Sequence, residues 1–318
     1  MTTHLIHADW GKSAQKRWTA SATRDGSAWI VEEPALAPTP RRLLSRVAAH
    51  AKQGPVMIGF DFPIGVPEQY ARTAGIESYR RLLQLLGDAT GPWSLFFSPA
   101  STPEQISHQR PFYPAKPGGT SQAHLTAGLR VPGMSALLRQ CERQTAERPA
   151  ANALFWTLGP KQVGHAAITG WREFLVPAVA QLGEDLAIWP FDGSLLEIAS
   201  TGRPVTVVET YPAEACLHVG VGTPGKGWSK RRREDRIAKG RLALTWLADK
   251  PIRLTTEAAL ALEDGFGADD TGEDPFDAMI GLLSMIAVDL GLRPDGAPDT
   301  EAVRRWEGWI LGQPGLPA

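Results

Sequence analysis

Carboxylates recur at places where acids are costly. Asp9 closes the apolar run Leu5-Ile6-His7-Ala8, Asp61 closes Val56-Met57-Ile58-Gly59-Phe60, and Glu209 closes Val205-Thr206-Val207-Val208. Two more, Asp274 and Asp277, open the long apolar segment that runs to Leu290. An acid at the end of a buried strand must be neutralised by something. Several acids converging on one place repel one another, and a divalent cation is the simplest relief. Carboxylates are hard oxygen donors suited to Mg2+ or Mn2+, and two such ions about 4 Å apart serve phosphodiester and phosphoryl chemistry. Asp9, Asp61, Glu209 and Asp277 are therefore the candidate catalytic acids, and the same four with Asp274 are the candidate metal ligands. Asp274 stands three residues before Asp277, so both face the same way on a helix. Gly281 and Ser284 continue that stripe and would let the helix lie close to a strand. Asp274 also precedes Pro275, which suits a helix N-cap followed by a first-turn proline. Asp9 before Gly11 and Asp61 before Pro63 are equally placed to cap turns.

The elements that would hold these acids follow from pattern. His4–Trp10, Arg17–Thr23 and Ala28–Glu32 read as three strands, the last two joined by Arg24-Asp25-Gly26-Ser27, whose Asp-Gly pair signals a hairpin. Pro40–Gln53 reads as a helix with Leu43, Leu44, Val47 and Ala48 on one face, stopped by Gly54-Pro55. Val56–Asp61 is apolar throughout, as a central strand is. Pro204–Glu209 is a further strand. Helices follow at Pro212–Val219, Ser229–Ala248 (with Ser229 as its cap), Thr256–Glu263 and Asp274–Leu290, and a last one at Asp299–Ile310. The expected fold class is α/β. Three antiparallel strands are followed by two parallel ones in a mixed five-stranded sheet flanked by helices. Residues 71–200 read as a long, partly helical insertion in a single domain of 318 residues whose core spans about 1–70 and 200–310. Within it, Ser78–Leu86, Met134–Arg143 and Trp171–Leu182 carry helical spacing.

Two groups of residues are candidates for gripping a substrate. Lys226 to Arg241 holds eight basic residues in sixteen, among them Lys230, Arg233 and Arg236, and would suit a phosphate backbone; a solvated helix face is the plainer alternative. Lys161 and Gln162, close to His165 and between Trp156 and Trp171, place a cation and an amide together. Gly220-Val221-Gly222-Thr223-Pro224-Gly225-Lys226 mimics a phosphate loop, but Gly227 stands where a hydroxyl would bind Mg2+ and no strand leads in.

The bulk numbers narrow the class. Hydrophobic content of 43% and charged content of 21% fit a globular chain. The net charge of −1 gives no global field toward nucleic acid or membrane, so any polyanion must use a local patch. Cys141 and Cys216, the only cysteines, cannot build a disulfide framework or a paired-cysteine zinc motif. The start lacks a basic region followed by an apolar core, and Met279–Leu290 is too short to span a bilayer. A reducing, cytoplasmic setting without a membrane is the expectation.

The segments His7-Ala8-Asp9-Trp10-Gly11, Ile58-Gly59-Phe60-Asp61-Phe62-Pro63-Ile64-Gly65, Val208-Glu209-Thr210-Tyr211-Pro212 and Asp274-Pro275-Phe276-Asp277-Ala278 together resemble the DUF429 family of predicted nucleases. That family looks like a branch of the ribonuclease H-like superfamily. The resemblance covers about residues 1–70 and 200–310. It implies a ribonuclease H-like sheet and a metal-dependent nuclease or phosphodiesterase using Mg2+ or Mn2+ on DNA or RNA. By it, Asp9 is the first-strand ligand, Asp61 or Glu209 the second-strand acid, and Asp277, with or without Asp274, the helix acid. Two alternatives stand beside it. Asp9-Trp10-Gly11-Lys12-Ser13 also suits the first phosphate loop of an actin-like or sugar-kinase-like phosphotransferase using ATP, though no second Gly-rich loop or adenosine site is found. The core is otherwise a non-catalytic nucleic-acid or protein-binding module.

Overall fold

A computed structural model of the chain describes residues 2–145, 149–158, 163–269 and 271–315. The polypeptide divides into two compact units. The first comprises Met1–Asp61, Leu195–Gly296 and Ile310–Pro314; the second takes Phe62–Ser194 together with Ala297–Trp309. The first boundary therefore falls directly after Asp61, and the expected last helix goes with the second unit.

In the first unit, β1 (His4–Asp9) pairs antiparallel with β2 (Trp18–Asp25) over all six of its residues. The chain turns back at Gly26, whose φ of +60° is the conformation the Asp-Gly signal calls for. It then adds β3 (Ala28–Val31) antiparallel to β2. A two-residue strand, β4 (Ala35–Leu36), joins the other end of β2. The helix Pro40–Ala51 starts where Thr39 accepts a hydrogen bond from the Arg42 amide, and it buries Leu43, Leu44 and Val47. β5 (Val56–Phe60) then lies parallel to β1. After β6 (Leu186–Ile188), a short strand of the second unit, β7 (Val205–Glu209) lies parallel to β5. β8 (Ile252–Leu254) closes the far side, parallel to β3. The order across the first unit is β7-β5-β1-β2-β3-β8, with β4 on β2.

The expected five strands and their directions are thus present, extended by β4 and β8. Strands of two and three residues are too short to show an alternation in sequence.

The helix Glu273–Asp289 is buried along nearly its whole length and packs on β1, β2 and β5. Close approach is possible because residue 281 is glycine: a Cβ there would lie 2.2 Å from the His7 ring. The ring has no room to retreat, since His7 is fully buried and its Nε2 is hydrogen-bonded to Thr210 Oγ1 at 2.8 Å. Gly281→Ala is expected to cost about 1–3 kcal/mol by overpacking, read as a lower midpoint in urea unfolding. At the far end, Asp289 pairs with Arg24, whose guanidinium also stacks 4.4 Å from the Trp29 ring centroid. That pairing offsets an acid at a helix C-terminus, where the dipole disfavours it.

The helix begins one residue earlier than expected, at Glu273, with Gly272 in the cap position. Asp274 is therefore a first-turn residue and not a cap. Likewise the helix expected from Ser229 begins at Arg233, and Ser229 does not cap it. The Ser229 amide instead donates to Asp235 at 2.7 Å.

The second unit is made of short helices, including Glu68–Thr73, Tyr79–Leu86 and Gln122–Gly128. The helical run Val163–Leu182 passes through a π-turn at Trp171–Leu175. Met134–Arg143 resolves into two 3-10 turns, Met134–Leu137 and Gln140–Glu142, and Asp299–Ile310 shortens to a π-turn at Val303–Glu307 that Gly308 ends at φ +65°. Its buried charges are matched internally. Arg139 binds Glu142 and the Glu307 backbone carbonyl, while the Glu307 carboxylate accepts from the amides of Glu68 and Gln140. Among the described residues, no helix is long and apolar enough to cross a membrane.

Candidate active site: an acidic centre on the first unit

Strand register decides which acids can meet. His4 is aligned with Val56, and Val56 with Val205. Asp9 and Asp61 are both the sixth residue from that line, whereas Glu209 is the fifth. Side chains alternate between the two faces of a sheet. Ala8, Phe60 and Glu209 therefore share one face. Asp9 and Asp61 share the other, with His7 and Thr210. The helix Glu273–Asp289 lies on this second face and brings Asp277 and Asp274 to it.

The register thus separates Glu209 from the acidic centre. Its side chain is buried on the opposite face, and its backbone carbonyl accepts from the Leu311 amide at 2.9 Å. The reading of Glu209 as a catalytic acid and metal ligand is corrected accordingly.

Asp9 and Asp61 hold each other directly through a hydrogen bond between their carboxyl groups. Asp61 also accepts the Trp10 backbone N–H at 2.6 Å, which fixes the turn after β1 to the end of β5. The Arg17 guanidinium stacks 4.1 Å from the Trp10 ring centroid and donates to the Gly11 carbonyl at 2.8 Å, closing that turn. Asp277 forms an ion pair with Lys230 through Oδ2, while its buried Oδ1 has no hydrogen-bond partner. Asp274 is half-buried one turn before it.

Burial and mutual repulsion make these acids hard to ionise. Burial, then the charges of Asp61, Asp277 and Asp274, hold Asp9 well above the ordinary carboxylate range, against the pull of Lys230. Burial raises Asp61 to about 7 despite the hydrogen bonds from Trp10 and Asp9. Asp277 and Asp274 are raised as well, chiefly by burial. Lys230 is held in its charged form by Asp277 in spite of its own desolvation. One proton shared between two carboxyls is how such a pair avoids adjacent negative charges.

The neighbours are inert. Burial pushes the Cys216 thiol up to about 12 and the His7 imidazole down to about 3. His218, which is hydrogen-bonded through Nδ1 to Ser284 Oγ at 2.7 Å, also falls to about 3 on burial. None of these three is a nucleophile or proton carrier near neutral pH. Among the described residues, no group of three or more His, Cys, Asp or Glu side chains is drawn together closely enough to hold a metal ion as the chain stands.

Of the basic residues expected to touch substrate, the structure redirects three. Arg236 is fully buried, and its guanidinium donates to the carbonyl oxygens of Gly265, Gly267, Ala268, Asp269 and Lys230. It is the clamp of the acidic loop and cannot reach a phosphate. Arg233 pairs with Asp264. Lys230 faces the acids. Lys161 and Gln162 lie outside the described residues.

The cations left for a polyanion are different ones. Arg231 is 82% exposed, with its Nε 3.5 Å from the Glu273 carboxylate at the start of the acid-bearing helix. Lys12 and Lys16 are exposed in the turn that follows Asp9, and Lys16 lies close enough to Asp274 to oppose its rise. Lys12 falls within the Asp9-Trp10-Gly11-Lys12-Ser13 pattern, whereas Lys16 did not stand out in the sequence, where it is an isolated charge outside the basic run. Replacing Lys16 and Arg231 with alanine is expected to weaken binding of a labelled oligonucleotide and to flatten its log–log salt dependence by about one to two units. Fluorescence anisotropy from low to moderate salt reads both.

Neither a family model, a curated protein nor a solved structure matches the chain. The reading of the centre therefore rests on its own geometry.

Proposed function

We propose that the chain is a divalent-metal-dependent phosphodiester hydrolase acting on nucleic acid, with a ribonuclease H-like core. The observation that carries this is the gathering of Asp9, Asp61 and Asp277 on one face of the sheet, buried, raised in pKa and countered by a single ammonium. The strand order β3-β2-β1-β5-β7, with only β2 antiparallel to its neighbours, is the arrangement the ribonuclease H-like resemblance implies. It supports that finer reading.

The donors match a hard cation in kind, but among the described residues no three of them are drawn close enough together to hold one. They are carboxylate oxygens, they repel one another without one, and Asp277 Oδ1 is buried with nothing to accept from. Asp9, Asp61 and Asp277 would hold the ion, with Asp274 at the rim. When bound, Mg2+ or Mn2+ lowers the pKa of a coordinated water and offsets charge on the phosphate oxygens. The chain's own groups do the rest. The Trp10 N–H keeps Asp61 turned toward Asp9, and the His7–Thr210 pair fixes the strand ends beneath them. Lys16 and Arg231 hold the substrate backbone over the acids.

Labelled DNA, RNA and branched substrates incubated with Mn2+ or Mg2+ test this reading. Cleavage that a chelator abolishes is the expected result. No cleavage of any substrate, with folded protein and either metal, would remove it.

A further inference from the structure

We propose that a slot beside the acidic centre is a base-binding subsite that takes one unpaired guanine of a single-stranded nucleic acid. This rests on the nucleic-acid part of the reading above and needs no bound metal. The slot has a volume of about 150 Å3, is open on one side, and is lined by Trp18, Glu33, Pro34, Asp264, Phe266 and Pro275, among others. These residues all belong to the first unit. A cavity of that size admits an aromatic ring. Its place next to the acids follows from the fold. Trp18 is the residue directly across from Asp9 in the pairing of β1 with β2, so the two side chains stand on the same face. Pro275 follows Asp274 in the first turn of the helix Glu273–Asp289, two residues before Asp277.

The walls suit a flat ring. Trp18 is half-buried, and among the described residues no ring, cation or hydrogen-bond partner is set against its side chain. Stacking on such a face is how unpaired bases are held. Phe266 is kept at the slot against its own backbone preference. Its φ is +62°, between Gly265 at +73° and Gly267 at +87°, a left-handed run that a bulky side chain rarely joins. The Arg236 guanidinium pins that run through the carbonyls of Gly265, Gly267 and Ala268, and the Phe276 ring braces Phe266 edge-on at 6.0 Å. Strain kept in this way clusters at ligand clamps. The two acids differ. Asp264 is already engaged: its Oδ1 pairs with Arg233 and its Oδ2 accepts the Gly267 N–H at 3.0 Å. Glu33 is exposed, and among the described residues its carboxylate has no hydrogen bond or ion pair. Two acceptor oxygens side by side match the N1–H and N2–H donors of guanine, an adjacent pair that no other base offers. A guanidinium group carries similar donors. Lys16, two residues before Trp18, and Arg231, against Glu273 at the start of the helix, instead favour a ligand that carries phosphate.

Fluorescence anisotropy of short labelled uridine oligomers carrying a central guanine, inosine or adenine, with a chelator present so that nothing is cut, tests this on the full chain. The wild type is expected to bind the guanine oligomer about tenfold more tightly than the adenine oligomer or the inosine oligomer, which lacks the N2 amine. Glu33→Gln, at an exposed position, is expected to bring guanine down to the level of inosine. Trp18→Ala is expected to weaken binding of the guanine oligomer about tenfold, and Trp18→Phe to keep most of the affinity. Equal wild-type affinity for the three oligomers would overturn the inference and leave the nucleic-acid reading standing. A Glu33→Gln protein that still separates guanine from inosine would also overturn it, as would methylguanidinium displacing the guanine oligomer at a lower concentration than guanosine monophosphate does. No binding of any oligomer would overturn the nucleic-acid reading itself, and this inference with it. The wild-type comparison of guanine with inosine decides the matter even if a variant fails to fold.

Discussion

Asp9→Asn, free of metal at pH 8, is expected to melt above the wild type, and the gap is expected to close as the pH falls toward 4. The sign follows from linkage. Asp9 and Asp61 are raised in the fold, Asp61 to about 7 from an ordinary 3.8. A raised acid binds its proton more tightly folded than unfolded, so folding loses stability as the proton leaves. Below the unfolded value both states are protonated and there is no cost. The cost grows between pH 4 and 7 and is complete above. Because the two carboxyls share the repulsion, one substitution is expected to recover roughly 2–3 kcal/mol. Asparagine keeps a donor toward Asp61 while removing one charge. His7 and His218, lowered to about 3, destabilise the fold as pH falls below their ordinary value of 6.5. They do so equally in both proteins, so they cancel in the difference. Differential scanning calorimetry of both proteins from pH 4 to 8 checks this. A gap that does not change with pH would show that the two acids do not repel each other as described.

Arg236→Ala is expected to be the most damaging substitution of a basic residue in the chain, and its damage is to folding. The guanidinium satisfies the carbonyls of Gly265, Gly267, Ala268, Asp269 and Lys230 with five donors in one plane. Removing it leaves buried acceptors unpaired and opens a cavity beneath the first turn of the acid-bearing helix, where a Cβ on Gly272 would lie 2.2 Å from the guanidinium. The expected loss is about 3–5 kcal/mol, seen as a melting point lower by about 10 °C. Arg236→Lys restores little, because an ammonium is a point donor and cannot span those oxygens. Arg231→Ala, five residues away on an exposed side chain, is expected to leave the melting point within about 1–2 °C. Comparable melting points for Arg236→Ala and Arg231→Ala would contradict the clamp.

Asp9, Asp61 and Asp277 were legible in the sequence because each is an acid attached to an apolar run, and such runs mark buried elements. Gly281 was legible for a related reason, as the small residue on the face that carries the acids. Glu209 looked identical to Asp61 by that criterion. What separates them is one residue of register, since a shift of one turns a strand side chain to the other face. The two runs show it when counted from their first residues: Val56 to Asp61 is six and Val205 to Glu209 is five. The count becomes informative only once Val56 and Val205 are known to align. The basic run was legible as charge but not as position. Arg233 and Arg236 stand three apart, yet one lies at the surface on Asp264 and the other is sealed beneath the acidic loop. The helix Arg233–Leu247 packs against Thr256–Asp264, and nothing in the local sequence specifies that contact. By sequence alone Lys230 is one lysine of a basic run, and such lysines usually face solvent, where they can meet phosphate. Its pairing with Asp277 spans forty-seven residues and depends on tertiary structure alone. Strands β4 and β8 were not legible because two or three residues cannot display a period.

The rate of Mn2+-dependent cleavage by wild type and Asp9→Asn, purified in parallel and assayed on the same labelled substrates, tests the central claim most directly. Asp9→Asn is expected to lose at least about a thousandfold in rate while remaining as folded as the wild type, in line with removing a group that acts only at the reacting centre. Equal rates for the two proteins would show that the acidic centre is not where phosphodiester bonds are cut.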